Sequence, residues 1–157
     1  MGYTHSWRRA RELDAKAFAA AMADCLKVVD AAQARGIVLE DLEVEPDAIF
    51  FNGSCETFVV ERVSSRRDHL GMEPAGFVFE FCKTAYGPYD VAVTACLVVL
   101  KSHLGDAILV TSNGGIHDWQ DGIDLAAEIG VACAWDFLPS GSDWGETLEP
   151  LERAVRS

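Results

Sequence analysis

Two short runs hold most of the residues suited to binding or catalysis. Lys83 and Thr84 stand in "FCKTAYGPYD", where a β-like alternation gives way to a helical pattern. Ser112 and Asn113 stand in "TSNGGIHDW", at a second junction of the same kind. A lysine and hydroxyls at strand-to-helix junctions suit an anion, because helix N-termini and loop amides converge there. Beside them, Glu56, Glu80 and His117 offer acid/base groups, with Asp118 next to His117. Cys82 precedes a lysine and a helix start, surroundings that can lower a thiol pKa toward a nucleophile, although a strand position also suits a buried thiol. At the other end, "YTHSW" alternates Tyr3, His5 and Trp7 with Thr4 and Ser6. That is strand periodicity, placing two aromatics and a histidine on one face as a stacking platform, with Arg8 and Arg9 near for phosphate.

Each residue also has a plainer reading. Asn52 in "FNG" is a residue that a tight turn demands, and Glu56 and Glu80 suit the wet face of a strand. Lys83 suits a surface lysine, Thr84 and Ser112 suit caps, and "YTHSW" suits an edge strand closing the core. The chain contains no HExxH run, phosphate-cradling glycine loop or Ser/His/Asp spacing motif. No metal site and no cofactor are expected.

The elements that must position these groups are legible from periodicity. From Asp14 to about Ala34, Phe18, Met22, Cys25, Leu26 and Val29 fall at helical spacing, with Asp14 as cap and Gly36 as terminator. "LEDLEVEPD" is expected as an acidic, solvated connection. "AIFFNGSCETFVVERV" reads as a hairpin, Ala48 to Phe51 and Glu56 to Val63, turning at Asn52-Gly53. "VSSRRDHLGMEPAG" is a long polar loop, and "FVFEFCK" a strand whose Phe77, Phe79 and Phe81 are expected to face the core. Pro88 suits the first turn of a second, largely buried helix ending at Gly105; "AILVT" is a strand, and a third helix ends at Gly130. "VACAWDF" is expected as one more strand, followed by a loop and a short terminal helix.

The strand-helix-strand order from Phe77 to Thr111 predicts a right-handed crossover between parallel neighbours. Lys83-Thr84 and Ser112-Asn113 then share one carboxyl edge, and the hairpin brings Asn52 and Glu56 to it. The expected fold class is α+β with α/β character: a single domain over residues 1–157, with a small mixed sheet, a β-hairpin, a β-α-β unit and packed helices.

Bulk properties narrow the partners. A net charge of -12 repels phosphate backbones, so duplex nucleic acid is not expected. No run of about 18 apolar residues exists, so no membrane span is expected, and "MGYTHSWRRARELDAKAF" lacks the features of a secretory signal, which predicts a cytoplasmic protein. The five cysteines are scattered without CxxC or Cys/His spacing, so neither disulfides nor structural zinc are expected, and Cys25 and Cys96 suit buried hydrophobes.

The combination of "MGYTHSW", "FNG" followed by "ETF", "FCKTAYGPYD" and "SNGGIHDW" resembles a family of small proteins of bacteriophages, prophages and bacteria without a settled function. Those proteins begin Met-Gly-Tyr-Thr-His-aromatic-Trp and carry Phe-Cys-Lys-Thr ahead of Pro-Tyr-Asp. This chain departs from the pattern at Tyr86-Gly87, where a basic pair is common, and at Asn113, where an aspartate is common; the second departure weakens a metal-hydrolase reading. The resemblance implies a phage-associated role, such as sequestering a nucleotide immune signal.

Three functions follow. The first is non-catalytic binding of a small anionic ligand, a cyclic or linear nucleotide, by Tyr3, His5, Trp7, Asn52, Glu56, Lys83, Thr84, Ser112 and Asn113. The second is a hydrolase or transferase acting on a small phosphorylated substrate. The third is an interaction module that inhibits a host factor through its acidic surface. A homo-oligomer is compatible with all three.

Overall fold

The computed structural model describes residues 3–65 and 76–133. Nine elements follow in order: β1 (Thr4–Ala10), α1 (Ala15–Ala34), β2 (Glu40–Glu45), β3 (Ala48–Asn52), β4 (Phe58–Glu61), β5 (Phe77–Lys83), α2 (Asp90–Leu104), β6 (Ile108–Ser112) and α3 (Ile116–Glu128), with a 3-10 turn at Gly105–Ala107. The class is α+β, as expected. Gly2, Arg66, Arg67, most of "VACAWDF" and the C-terminal helix expected beyond it lie outside the described residues; Val131 to Cys133 form no strand.

The strands pair as two antiparallel sheets rather than one mixed sheet, in the orders β5-β1-β6 and β2-β3-β4. β5 and β6 do run in the same direction, because each is antiparallel to β1, but β1 separates them. The N-terminal strand is therefore the centre of its sheet, not its edge. His5 pairs with Cys82 on one side and Ser112 on the other, so these three lie side by side across the sheet.

The alternation in β5 is present, but its buried face is the opposite one. Val78, Glu80 and Cys82 are buried, and of the three phenylalanines only Phe77 at the start of the strand is, whereas Phe79 is half-buried and Phe81 is 41% exposed. A carboxylate turned inward requires partners, and the interior supplies them. Glu80 Oε1 accepts from Trp7 Nε1 at 2.9 Å and stands 3.5 Å from the Arg9 guanidinium, and Oε2 accepts from Ser64 Oγ at 2.8 Å. Arg9 is fully buried and donates to the carbonyls of Ala10, Arg11, Glu61 and Arg62. One guanidinium thus ties the end of β1 to the end of β4, joining the two sheets.

The helices form as their sequence signals require. Asp14 accepts from Ala17 N at 2.8 Å to cap α1, and Gly36 at φ +87° ends it. The stripe of Phe18, Met22, Cys25 and Val29 is buried, while Leu26 at its margin is exposed. α2 lies between α1, α3 and β6, and every residue from Ala92 to Leu100 is buried, which explains its nearly continuous apolar sequence.

The acidic segment is a strand rather than a loop. Leu42 and Val44 are half-buried while Glu43 and Glu45 are exposed, and the charges cover the edge of the second sheet. The hairpin beyond it turns through residues 53–57, so Asn52-Gly53 is not a two-residue turn. Gly53 is required for another reason: a Cβ there would collide with the Tyr89 ring. The loop after β3 and the turn before α2 are locked together, with Tyr89 Oη donating to Glu56 O at 2.6 Å.

Among the described residues no helix is long and apolar enough to cross a membrane.

Candidate functional site

The carboxyl ends of β5 and β6, the start of β1, and the first turns of α2 and α3 meet at one edge. His5 is held here with no solvent exposure. Its Nε2 lies 2.6 Å from Asp90 Oδ1 and its Nδ1 lies 2.8 Å from Ser112 Oγ. A carboxylate only accepts, so Nε2 donates to Asp90, and in the neutral form of an imidazole so held Nδ1 is the acceptor for the Ser112 hydroxyl. Asp90, in the first turn of α2, is fixed further by Thr84 Oγ1 at 2.6 Å, and Gly114 N donates to Ser112 Oγ at 2.9 Å. The ring plane of His5 is set by edge contacts with Tyr3 at 4.8 Å and Trp119 at 5.0 Å.

Tyr3 closes this cluster from above. Its ring is 2% exposed and lies so close to Gly114 that no Cβ fits there. Burial raises its pKa, so the phenol stays protonated. The hydroxyl sits close enough to Ser112 to interact with it, but it makes no well-formed hydrogen bond among the described residues. Such a group costs stability and marks a place where another atom would be welcome.

Tyr86 stacks on Tyr3 with ring centroids 3.8 Å apart and planes at 16°, while remaining 67% exposed. It reaches that position through unusual backbone, because Ala85 and Tyr86 occupy the left-handed region consecutively, at φ +50° and +59°. Each costs about 1–2 kcal/mol relative to right-handed backbone. Thr84 N and Ala85 N both donate to Tyr3 O, at 3.1 and 3.2 Å, which holds the turn in place.

Lys83 and Glu56 adjoin this edge. Lys83 N donates to Glu56 Oε1 at 2.7 Å and Glu56 N donates to Lys83 O at 3.0 Å, as if the loop added a partner to the end of β5. The Lys83 ammonium makes no hydrogen bond or ion pair among the described residues. Asn113 is tied to Thr4 by two bonds, Thr4 N to its Oδ1 at 2.9 Å and its own N to Thr4 O at 3.0 Å. The turn before α2 also borders a cleft of about 260 Å³, lined by Pro88, Tyr89, Gly53, Ser54, Val38 and Glu40.

The expected site residues therefore divide. Tyr3, His5, Thr84 and Ser112 form the buried cluster, and Lys83, Glu56 and Asn113 border it. Trp7 does not take part: it is fully buried, with its indole N–H on Glu80, so it cannot stack on a ligand. Asn52 is engaged by Asp41 and Thr57. Cys82 is buried, which pushes its thiol up to about 12 and disfavours the thiolate, and its Sγ donates to Glu56 O at 3.6 Å. Glu80 belongs to the Arg9 network, and Asp118 caps α3 by accepting from Gly115 N. His117 is exposed.

Asp90 is not among the expected site residues, and Tyr86 stands in the sequence only as a departure from the family pattern. The signal for Asp90 was an acidic residue in the first turn of a helix opening with Pro88. Its partner His5 lies 85 positions away in the chain. Among the described residues, no three His, Cys, Asp or Glu side chains gather as a metal site. Comparison of the chain with known protein families, with curated proteins and with solved structures finds no match.

Proposed function

We propose that this edge binds a small anionic molecule carrying a planar ring, of the nucleotide class, whose ring stacks on Tyr86 and whose charge meets Lys83. The observation that carries the reading is the exposed Tyr86 ring, backed by Tyr3 and presented by two consecutive left-handed residues. Backbone held in a costly region over a buried polar cluster is more readily understood as a binding feature than as a turn, for which Gly would serve at less cost. One face of Tyr86 rests on Tyr3, and its high exposure leaves the other for a ligand. The Lys83 ammonium supplies a cation that no described carboxylate neutralises. Sequestration of a nucleotide signal, as the phage-family resemblance implies, would need no chemistry beyond this.

Isothermal titration with cyclic and linear nucleotides tests the reading. Stacking on an aromatic ring is worth about 1–3 kcal/mol per base. Tyr86→Gly, which also relieves the backbone, is expected to weaken binding by roughly 5–150-fold, and Lys83→Ala to weaken it in a salt-dependent way. Binding that survives both substitutions unchanged would place the ligand elsewhere.

A further inference from the structure

The chain of hydrogen bonds beneath Tyr86 has a chemical meaning that reversible binding does not need. We infer that Ser112 is a nucleophile activated by His5 and Asp90, acting on a small carboxylic ester or thioester, with the Tyr3 hydroxyl donating to the oxyanion. Ser112 Oγ to His5 Nδ1 is 2.8 Å and His5 Nε2 to Asp90 Oδ1 is 2.6 Å, both within the reach required of a nucleophile, its base and the group that orients the base. The three residues come from β6, β1 and α2, so the arrangement is built by the fold and has no local sequence motif. Asp90 is a positioning residue: anchored by Thr84, it holds the imidazole in the tautomer that leaves Nδ1 able to take a proton.

Tyr3 supplies the second, independent observation. Its hydroxyl is buried beside Ser112, protonated and without a well-formed hydrogen bond among the described residues. An oxygen that becomes an anion on attack by Ser112 would complete it. Ser112 ends β6 and is followed by Asn113-Gly114-Gly115 and α3, a strand-turn-helix setting in which helix N-terminal amides lie close to the reacting group. Tyr86 stacks over Tyr3, and a turn that opened there would leave a costly backbone region.

In the reaction, Ser112 Oγ bonds to the carbonyl carbon as its proton passes to His5 Nδ1. The oxyanion accepts from Tyr3 Oη. Collapse breaks the bond to the leaving alcohol or thiol, which takes the proton from Nδ1 and departs, leaving an ester on Ser112. Water then attacks the ester carbon, giving its proton to Nδ1, and the carboxylic acid departs as the proton returns to Ser112 Oγ.

The test is covalent labelling of the native protein with a fluorophosphonate, followed by intact mass and peptide mapping. The proposal requires an adduct on Ser112, formed faster in Tyr86→Gly than in the wild type and absent from Ser112→Ala. In Asp90→Asn the labelling rate should fall on the order of 10⁴-fold, with its rise with pH displaced, because the carboxamide favours the wrong tautomer. If that variant fails to fold, mapping of the wild type and Tyr86→Gly still decides. No adduct on Ser112 in either protein, or an adduct that persists in Ser112→Ala, overturns the proposal. The inference does not rest on the nucleotide reading: nucleotide binding without labelling, or labelling without nucleotide binding, separates the two.

Discussion

Replacing Arg9 by Met keeps an unbranched apolar stem and removes the guanidinium that joins the two sheets. Four carbonyls, those of Ala10, Arg11, Glu61 and Arg62, lose a donor, and Glu80 keeps its charge in the interior with only Trp7 and Ser64 to satisfy it. Burial lowers the Arg9 pKa, which records a desolvation cost, although an arginine remains charged at any physiological pH. Removing one partner of a buried pair costs about 3–5 kcal/mol. At roughly 2–4 °C per kcal/mol for a chain of this size, Tm should fall by about 6–20 °C. Calorimetry or urea denaturation reads this directly. A second substitution isolates the orphaned charge: Arg9→Met/Glu80→Gln should be more stable than Arg9→Met alone, because Gln retains the oxygen that Trp7 needs without the charge. A Tm loss below about 3 °C in the single variant, or a double variant that falls further, would refute the claim that this network joins the sheets.

Gly53→Ala places a methyl group against the Tyr89 ring and should destabilise by about 1–3 kcal/mol, read as a lower urea midpoint. Tyr86→Gly should leave stability within about 1 kcal/mol of the wild type, since relief of left-handed strain offsets the lost ring stack; a large loss would mean that the turn is structural. Alkylation of the native protein at pH 8 should modify exposed Cys55 and spare Cys25, Cys82 and Cys96, checked by peptide mapping. Cys82 is raised from 9.0 to about 12 in the fold, so the native state binds the extra proton between those values. Its contribution is intact below pH 9 and is lost upward at about 1.4 kcal/mol per pH unit until about pH 12, and Cys82→Ser should flatten that part of the stability profile.

The helices were legible because their signals are local: Asp14 as cap, Gly36 and Gly105 as terminators, and an apolar stripe on α1. The shared edge of Lys83-Thr84 and Ser112-Asn113 was legible too, since strand-helix-strand order fixes the direction of β5 and β6. What occupies the gap between them was not. β1 pairs with residues about 70 to 105 positions away, and alternation in "YTHSW" cannot tell a central strand from an edge. Alternation in "FVFEFCK" likewise gave the period but not the face. Three phenylalanines argued for one side, but Glu80 faces inward because Arg9, Trp7 and Ser64 satisfy it there, a fact that no local window contains. The acidic strand β2 did carry a period-two pattern in Leu42 and Val44, hidden under its charge. A helix-start aspartate is ordinary in a sequence, and only the fold brings His5, itself bonded to Ser112, to Asp90.

The most direct test of the binding site is mass spectrometry of the small molecules released when the purified protein is denatured, with Tyr86→Gly and Lys83→Ala prepared in parallel. A planar-ring, anionic molecule should be released from the wild type and depleted from both variants. Equal recovery from all three proteins, or a wild type that releases nothing and is not stabilised by any added nucleotide, would contradict it.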